Sequence, residues 1–477
     1  MGSAAPLLYE KVARLIDQQI ATGALSANDR VPSVRAMSRA ARVSVSTVVQ
    51  AYLRLESAGV IEARPQSGFY VRAPRVPEPA QPRSRLPRST RPRTVAGEVL
   101  ETCSEAMLRA DVLPLSGAAA APAFYPNRRL NHLTREVLRD HPQHAGELIR
   151  PPGDLDLRRE IAKRMAAGGC ATDPEEVVIT SGAMDAITLA LRVLCKPGDT
   201  VLVESPTYYG ILQTIEDSSL KVIEAPNHPG EGIDVDAVRQ KQRATKLAAA
   251  VLMPNFNNPV GSLTSDERKR ALVQTLTAAG VPIIEDDTHG ELHYGLERPS
   301  LMRSFDEAGL VITCGSVSKT IALGFRIGWA VSSQFQRELA RAKSFTSVAC
   351  PTLQQKVLAR YYASGGYDRY LRRLRGTIAA NVQHMSAAVS RCFPIGTKMT
   401  RPAGGLVLWI ELPREIDSVA LFRSALAHRI GIYPGVVFSA SAGYRNYIRL
   451  NCGLPWAPAV ETAVETLGKL ICPMVAS

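Results

Sequence analysis

The sequence predicts an α/β protein made of a small helical head and a large doubly wound body. Three observations predict this. Apolar residues recur at helical spacing over residues 8–57 and at strand spacing from there to 71. A proline- and arginine-rich stretch without apolar periodicity follows, over residues 73–100. From 101 to 477 short apolar runs alternate with amphipathic segments, the order that a sheet covered by helices on both faces requires.

The totals agree with that division. A chain of 477 residues exceeds one ordinary domain, and 45% hydrophobic residues can build a sizeable core. No apolar run is long enough to span a bilayer. The leading MGSAAPLLYEKVARLIDQQI is amphipathic and charged, unlike a secretion signal. Eight cysteines are scattered without a C-x-x-C pair, which argues against a zinc site and a disulfide framework and for a reducing cytoplasm. The net charge is +13. Residues 1–72 hold nine Lys/Arg against five Asp/Glu, and 73–99 hold six Arg against two Glu. The positive charge is thus concentrated at the front, as a polyanion partner for the head would require.

In the head, Val12, Leu15, Ile16 and Ile20 share one face of a helix over Leu8–Ala21, which Gly23 should stop. Ser33 is placed to cap a second helix, VRAMSRAA, and Ser44–Ser57 reads as a third, with Val48, Tyr52 and Leu55 inward and Gly59 ending it. VIEARPQSGFYV reads as two short strands turning at Gln66, Ser67 and Gly68. Three helices and a two-stranded wing make a winged helix-turn-helix. The wording R-V-P-S-V-R-A-M-S, V-S-V-S-T-V-V-Q-A-Y-L-R-L-E-S-A-G-V-I and S-G-F-Y-V resembles the GntR-type DNA-binding domain over its whole length. That resemblance implies that Arg35, Ser44, Ser46 and Thr47 face double-stranded DNA, with Arg64 and Gly68 on the wing. Val45 stands where the family usually has arginine.

Residues 73–100 should be an extended, mobile spacer. The alternative for its arginines is unspecific attraction to DNA.

In the body, Lys319 lies in TCGSVSKTIALGFRIGWA, after an apolar run that reads as a buried strand. A lysine held there among neutral groups and cations loses its proton readily, and the free amine can attack a carbonyl. Ser316, Ser318 and Arg326 suit a phosphate dianion. Gly315, Gly324 and Gly328 leave room for a ligand against the backbone. In VVITSGAMDAITLALRVL, Ser181, Gly182 and Ala183 stand where a strand turns into a helix, whose free N–H groups favour phosphate.

These segments resemble the aminotransferase class I/II family, which are fold-type I pyridoxal 5′-phosphate (PLP) enzymes. The family form S-x-S-K-x-x-x-P-G-x-R-x-G is matched except for Leu323 in place of proline. PPGDLDLRRE matches at Gly153, Leu157 and Arg158, while Leu148 replaces a tyrosine that reaches the neighbouring subunit. P-x-x-N-N-P-x-G is matched at 254–261, and Thr264 with Glu267 suits a capping box for the next helix. The resemblance implies a large doubly wound domain, a small α+β domain beginning near RPAGGLVLWIELP, and a homodimer. It implies that Lys319 forms the imine, Tyr208 (with Tyr209 competing) stacks on the ring, Asn258 donates to the ring oxygen, and Asp286 pairs with the ring nitrogen. It also implies that Arg449 grips the substrate carboxylate. A tyrosine usual after Asp286 is absent, and His289 stands near enough to serve as donor.

A GntR head, a linker and this body, divided 1–72, 73–100 and 101–477, give the layout of MocR-type regulators. That layout implies a DNA-binding transcription regulator that senses PLP, an amino acid or an amine through the Lys319 imine. The alternatives are a working aminotransferase with an attached head and a body reduced to a dimer scaffold.

Overall fold

The computed structural model describes residues 8–476 except 23, 27, 65–66, 73–78, 83–93 and 442. The expected stop at Gly23, the turn residue Gln66 and most of the spacer therefore lie outside the described residues. The chain divides into two compact units, Met1–Glu78 and Pro79–Ser477.

The first unit is the winged helix-turn-helix. Helices Leu8–Ala21, Val34–Ala41 and Val45–Ser57 enclose Val12, Ile16, Met37, Val48, Tyr52 and Leu55. Ser33 caps the second helix by accepting from the Ala36 N–H (3.2 Å), and Ser44 caps the third by accepting from the Thr47 N–H (3.1 Å). Strands Ile61–Arg64 and Gly68–Val71 pair antiparallel, and Ile61 and Val71 close the core beneath them. The buried Tyr52 hydroxyl donates to the Pro32 carbonyl (2.7 Å), which satisfies its one polar atom.

The second unit is built on an eight-stranded sheet. Its spatial order is Val177–Thr180, Gly328–Val331, Val311–Ser316, Ile283–Asp286, Ala249–Leu252, Thr200–Ser205, Lys221–His228 and Gly232–Ile233. The five strands from 311–316 to 221–228 run parallel, and 328–331 runs against its neighbours. The inner strands Ala249–Leu252 and Val311–Ser316 are buried along their whole length and are largely apolar runs rather than alternating ones, whereas Lys221–His228, near the sheet's edge, is mostly part-buried. Val201 and Val203 pack toward helices Ala183–Leu194 and Tyr209–Asp217, and Leu202 packs toward Val235–Ala244 and Asp266–Thr277. A smaller antiparallel sheet orders Lys398–Met399, Val407–Glu411, Tyr447–Asn451 and Tyr433–Pro434, with helices Gly366–Cys392, Ser418–Ala427 and Pro458–Ala476 in the same half. This is the large doubly wound and small α+β pair expected of a fold-type I body.

Three expectations are corrected. A helix, Thr94–Leu108, begins inside the stretch read as spacer to residue 100. Its Val99, Cys103 and Ala106 lie at helical spacing and are buried in the body's core, so hydrophobic docking overrides the composition around them. The residues before it also belong to the second unit, since the Met399 N–H donates to the Ala80 carbonyl (3.0 Å). Ser265, not Thr264, caps Asp266–Thr277, accepting from the Arg268 N–H (3.3 Å). Thr264 instead accepts from the Ile233 N–H (3.3 Å) and so ties two segments together.

The head's core sets its stability. Ile16→Ala, at a position with no exposure, is expected to cost the head about 2–5 kcal/mol. Leu15→Ala, at 46% exposure, should stay within about 0.5 kcal/mol. Calorimetry of the full chain, resolving the head's transition from the body's, checks the contrast.

Candidate functional site

Parallel strands deliver their carboxyl ends to one edge, and a doubly wound sheet binds ligands there. The residues singled out from the body's sequence collect at that edge. Ser316 ends one strand, Asp286 ends the next at the register partner of Cys314, and loops from the strands ending at Thr180, Leu252 and Ser205 carry Ser181, Asn258 and Tyr208.

Lys319 is half-buried, and its Nζ donates to the Ala118 carbonyl (2.5 Å). Burial holds its amine down to about 8, Arg449 and Arg326 push the same way, and Asp286 opposes them. The buried Asp286 accepts from the Thr288 N–H (2.9 Å) and hydroxyl, while burial raises its carboxyl above the usual range.

The phosphate-type groups form a second cluster. Arg326, in left-handed backbone at φ 52°, donates to the Ser181 carbonyl (2.9 Å) and reaches the Ser318 hydroxyl (3.4 Å). Ser316 accepts from the Ser318 N–H (2.9 Å). Gly182, at φ +103°, precedes the helix that starts at Ala183, and a Cβ there would come within 2.8 Å of Arg326 Nη2. Ser181 is held from below: its N–H donates to Asp185 (2.7 Å), and its hydroxyl accepts from the buried Lys343 (2.9 Å).

Arg449 is buried on the small sheet. It donates to Asn258 Oδ1 (2.7 Å), to the Ser116 carbonyl and to the Gly117 carbonyl (3.2 Å). Its guanidinium also lies 4.9 Å from the Tyr433 ring centre. Because Asn258 presents its oxygen to Arg449, its amide N–H pair points elsewhere, which suits donation to a ligand oxygen. Tyr208 leads into helix Tyr209–Asp217, with its ring 4.5 Å from that of Tyr209, and Tyr209 receives the Tyr433 hydroxyl (3.2 Å).

His289 is present at the edge but in the wrong state to donate. Its buried ring is held neutral, down to about 3, by burial and by Lys319. Nδ1 is hydrogen-bonded to the Phe256 carbonyl (2.9 Å), which only accepts, so Nδ1 carries the proton. The unpartnered Nε2 is then a lone pair, an acceptor rather than the donor expected from sequence. The glycines around Lys319 also differ from expectation. A Cβ at Gly315 would strike the Trp329 ring (2.6 Å), and one at Gly328 the Gly182 backbone (2.5 Å), so these two serve packing and not a ligand.

Ser116 to Ala118 were missed from sequence. The run SGAAAA was the available signal, since small side chains let backbone carbonyls approach Lys319 and Arg449.

In the head, Arg35 is exposed on the second helix, and Ser46 is exposed on the third beside Val45. Ser44 shares its hydroxyl with those of Ser46 (2.8 Å) and Thr47 (2.7 Å), so this trio orders the start of the third helix. Arg64 is engaged within the wing, with Glu62 (3.0 Å), Asn28 (2.9 Å) and the Tyr70 ring. Gly68, at φ +105°, lies beneath the Arg30 guanidinium.

Residues 126–467 match the model of aminotransferase class I and II, and residues 8–71 match that of the bacterial regulatory proteins of the gntR family. The chain belongs to the aminotransferase class I and II family and carries a gntR-family head. It is 35% identical to the uncharacterized HTH-type transcriptional regulator YdcR of Escherichia coli, covering 97% of this chain and 98% of that protein. It is 30% identical to the 2-aminoadipate transaminase of Thermus thermophilus, over 77% of this chain and 92% of that one. Among solved structures, the body resembles LysN of Thermus thermophilus, an α-aminoadipate aminotransferase complexed with N-(5′-phosphopyridoxyl)-L-leucine. The TM-score is 0.74 at 29% identity, over 80% of this chain and 97% of that one. The kynurenine aminotransferase of Pyrococcus horikoshii, in complex with PMP, also gives a TM-score of 0.74, at 27% identity over 80% of this chain and 95% of that one. Relatives of the aminotransferase-like body thus include enzymes without the head and regulators with it.

Two outcomes are expected from this geometry. Gly182→Ala puts a side chain into left-handed backbone and against Arg326, and should cost the body about 1–3 kcal/mol in urea unfolding. Condensation of Lys319 with a small aldehyde, trapped by borohydride and located by peptide mapping, should rise with pH through a midpoint near 8. Below that pH the amine is protonated and unreactive. A midpoint near the ordinary lysine value of 10.5 would show that the amine is not held as described.

Proposed function

We propose that the chain is a cytoplasmic DNA-binding transcription regulator whose body binds PLP at Lys319 and responds to an amino acid or amine. The observation that carries this reading is the Lys319 amine. It is held near neutrality at the carboxyl edge of the sheet, with Asp286 beside it, in a chain that begins with a gntR-family head.

The residues fit the cofactor on several counts. Gly182, having no side chain, lets Arg326 approach its backbone closely, and the helix start at Ala183 with Ser316, Ser318 and Arg326 would form a cradle for a phosphate. Asp286, whose carboxylate has no cationic hydrogen-bond partner among the described residues, would hold a protonated ring nitrogen. Asn258 has its N–H pair turned away from Arg449 and would donate to a ring oxygen, and Tyr208 would cover the ring. When bound, PLP supplies an aldehyde for the Lys319 amine and a ring that withdraws electrons. Arg449 would receive the carboxylate of an amino-acid effector as a two-pronged donor.

In the head, Arg35, Ser44, Ser46 and Thr47 would meet the major groove, with Arg64 and Gly68 near phosphate. The body is read as a homodimer, so two heads could meet two half-sites. No described helix is long and apolar enough to cross a membrane.

A working aminotransferase is the second reading, favoured by the set Lys319, Asp286, Asn258, Arg326 and Arg449. Turnover of many equivalents of amino and keto acid would establish it. His289 speaks against efficient turnover, since its accepting Nε2 gives a ring oxygen no second donor.

The regulator reading predicts that PLP changes the affinity of the full chain for a duplex from its own upstream region about tenfold or more, a coupling of about 1.4 kcal/mol. Lys319→Ala should bind that duplex and lose the response. Fluorescence anisotropy of cofactor-free, PLP-loaded and amino-acid-treated protein measures it. Equal affinity in all three states would remove sensing from the proposal.

A further inference from the structure

A cavity of about 750 Å³ opens on the body where the helices Asn127–Asp140 and Gly366–Cys392 begin. It is lined by Arg128, Arg129, Arg369 and Arg373 and by no acidic residue. Among the described residues, none of these four guanidiniums is paired with a carboxylate. Asp368, in the first turn of the second helix, pairs instead with Arg164.

Both helix starts add to the positive field. Pro126 and Gly365 stand at the cap positions, and neither helix is capped by a side chain. The first helix also has no acidic residue in its first turn. Their leading N–H groups and the positive ends of two helix dipoles therefore meet four guanidiniums. Such a concentration of donors and like charge is relieved by one kind of ligand, a compact anion with several acceptor oxygens.

Much of the remaining wall is aromatic. Phe124, Tyr125, Tyr361 and Tyr370 line it, and the volume lies within the range of small-molecule sites. Rings below and cations around suit a flat ring joined to a phosphate. Two of these rings are also tied to the loop that carries Lys319. The Tyr125 hydroxyl donates to the Ser318 carbonyl (3.0 Å) and the Tyr370 hydroxyl to the Thr320 carbonyl (2.7 Å). A ligand resting on them bears on the backbone at both sides of Lys319.

We propose that this cavity is a second ligand site on the body, one that takes a phosphate monoester bearing a planar ring. None of its residues belongs to the set at the sheet edge, and the proposal does not depend on what Lys319 binds.

The test is calorimetric titration of the full chain with adenosine 5′-monophosphate and with pyridoxine 5′-phosphate, neither of which carries an aldehyde. Adenosine and inorganic phosphate serve as partial ligands. Saturable binding of at least one ester is expected, tighter than that of either part. Loss of two charge-assisted contacts in Arg129→Gln/Arg373→Gln should weaken it about 100-fold. Arg326→Gln, which alters the other phosphate cradle, should leave it within about threefold. The charge-keeping Arg129→Lys/Arg373→Lys should retain most of it, which separates lost binding from lost folding. No saturable binding of either ester at millimolar concentration overturns the proposal. So does loss in Arg326→Gln equal to that in the double variant. If the double variant instead loses affinity for a random-sequence duplex while neither ester binds the parent chain, the arginines contact a DNA backbone and the small-molecule site is wrong.

Discussion

A half-buried lysine amine, with two guanidiniums acting against its proton and one carboxylate acting for it, is the constraint on which the body depends. Desolvation alone disfavours the charged form. Arg449 and Arg326 add to that, and Asp286 opposes them without reversing it. Asp286 ends one parallel strand, Lys319 and Arg326 share the connection that follows the next, and Arg449 stands on the small sheet, so the balance needs both sheets in place. A shift of any of them changes the protonation of Lys319 at neutral pH before it changes the fold.

Behind that edge lies a supporting layer of buried carboxylates. Glu204, pushed up to about 8 by burial, accepts from the Met253 N–H (2.7 Å) and Asn227 (2.7 Å) and so holds the start of the loop that carries Asn258. Glu285, pushed up to about 7, accepts from the Met302 N–H (2.6 Å) and the Thr313 hydroxyl (2.9 Å) and locks neighbouring strands. Asp287, beside Asp286, is taken up by Arg298 and by Asn255 (3.0 Å). Two adjacent aspartates thus do different work: Asp287 is neutralised by a cation in the scaffold, and Asp286 is left for the open edge.

Much of this was legible in the chain because local chemistry announced it. Val311–Ser316 is a buried apolar strand followed by the lysine, and Ser33 caps the helix that its spacing assigned it. What was not legible came from long range. The helix Thr94–Leu108 forms because Val99, Cys103 and Ala106 have a core to enter, and composition over residues 73–93 hid that spacing. The carbonyls of Ser116, Gly117 and Ala118 become important through Arg449 and Lys319, more than two hundred residues away. The tautomer of His289 is set by the Phe256 carbonyl, which no spacing rule connects to it. The glycines at 315 and 328 look alike in a motif, and only their neighbours show that they accommodate Trp329 and Gly182.

The internal engagement of Arg449 bears on how finely the body can discriminate. Its Nη atoms already donate to one side-chain oxygen and two main-chain oxygens across the junction of the two sheets. A carboxylate received by Arg449, as proposed, would compete with those acceptors, and its apparent affinity would be lowered by whatever free energy they provide. The same exchange would free the Asn258 oxygen and the carbonyls of residues 116–117, which tie the small sheet to the loops it rests on. If the body works as the proposed sensor, a weak grip and the release of those contacts would have one origin, and its working range would lie at abundant metabolites and not at traces.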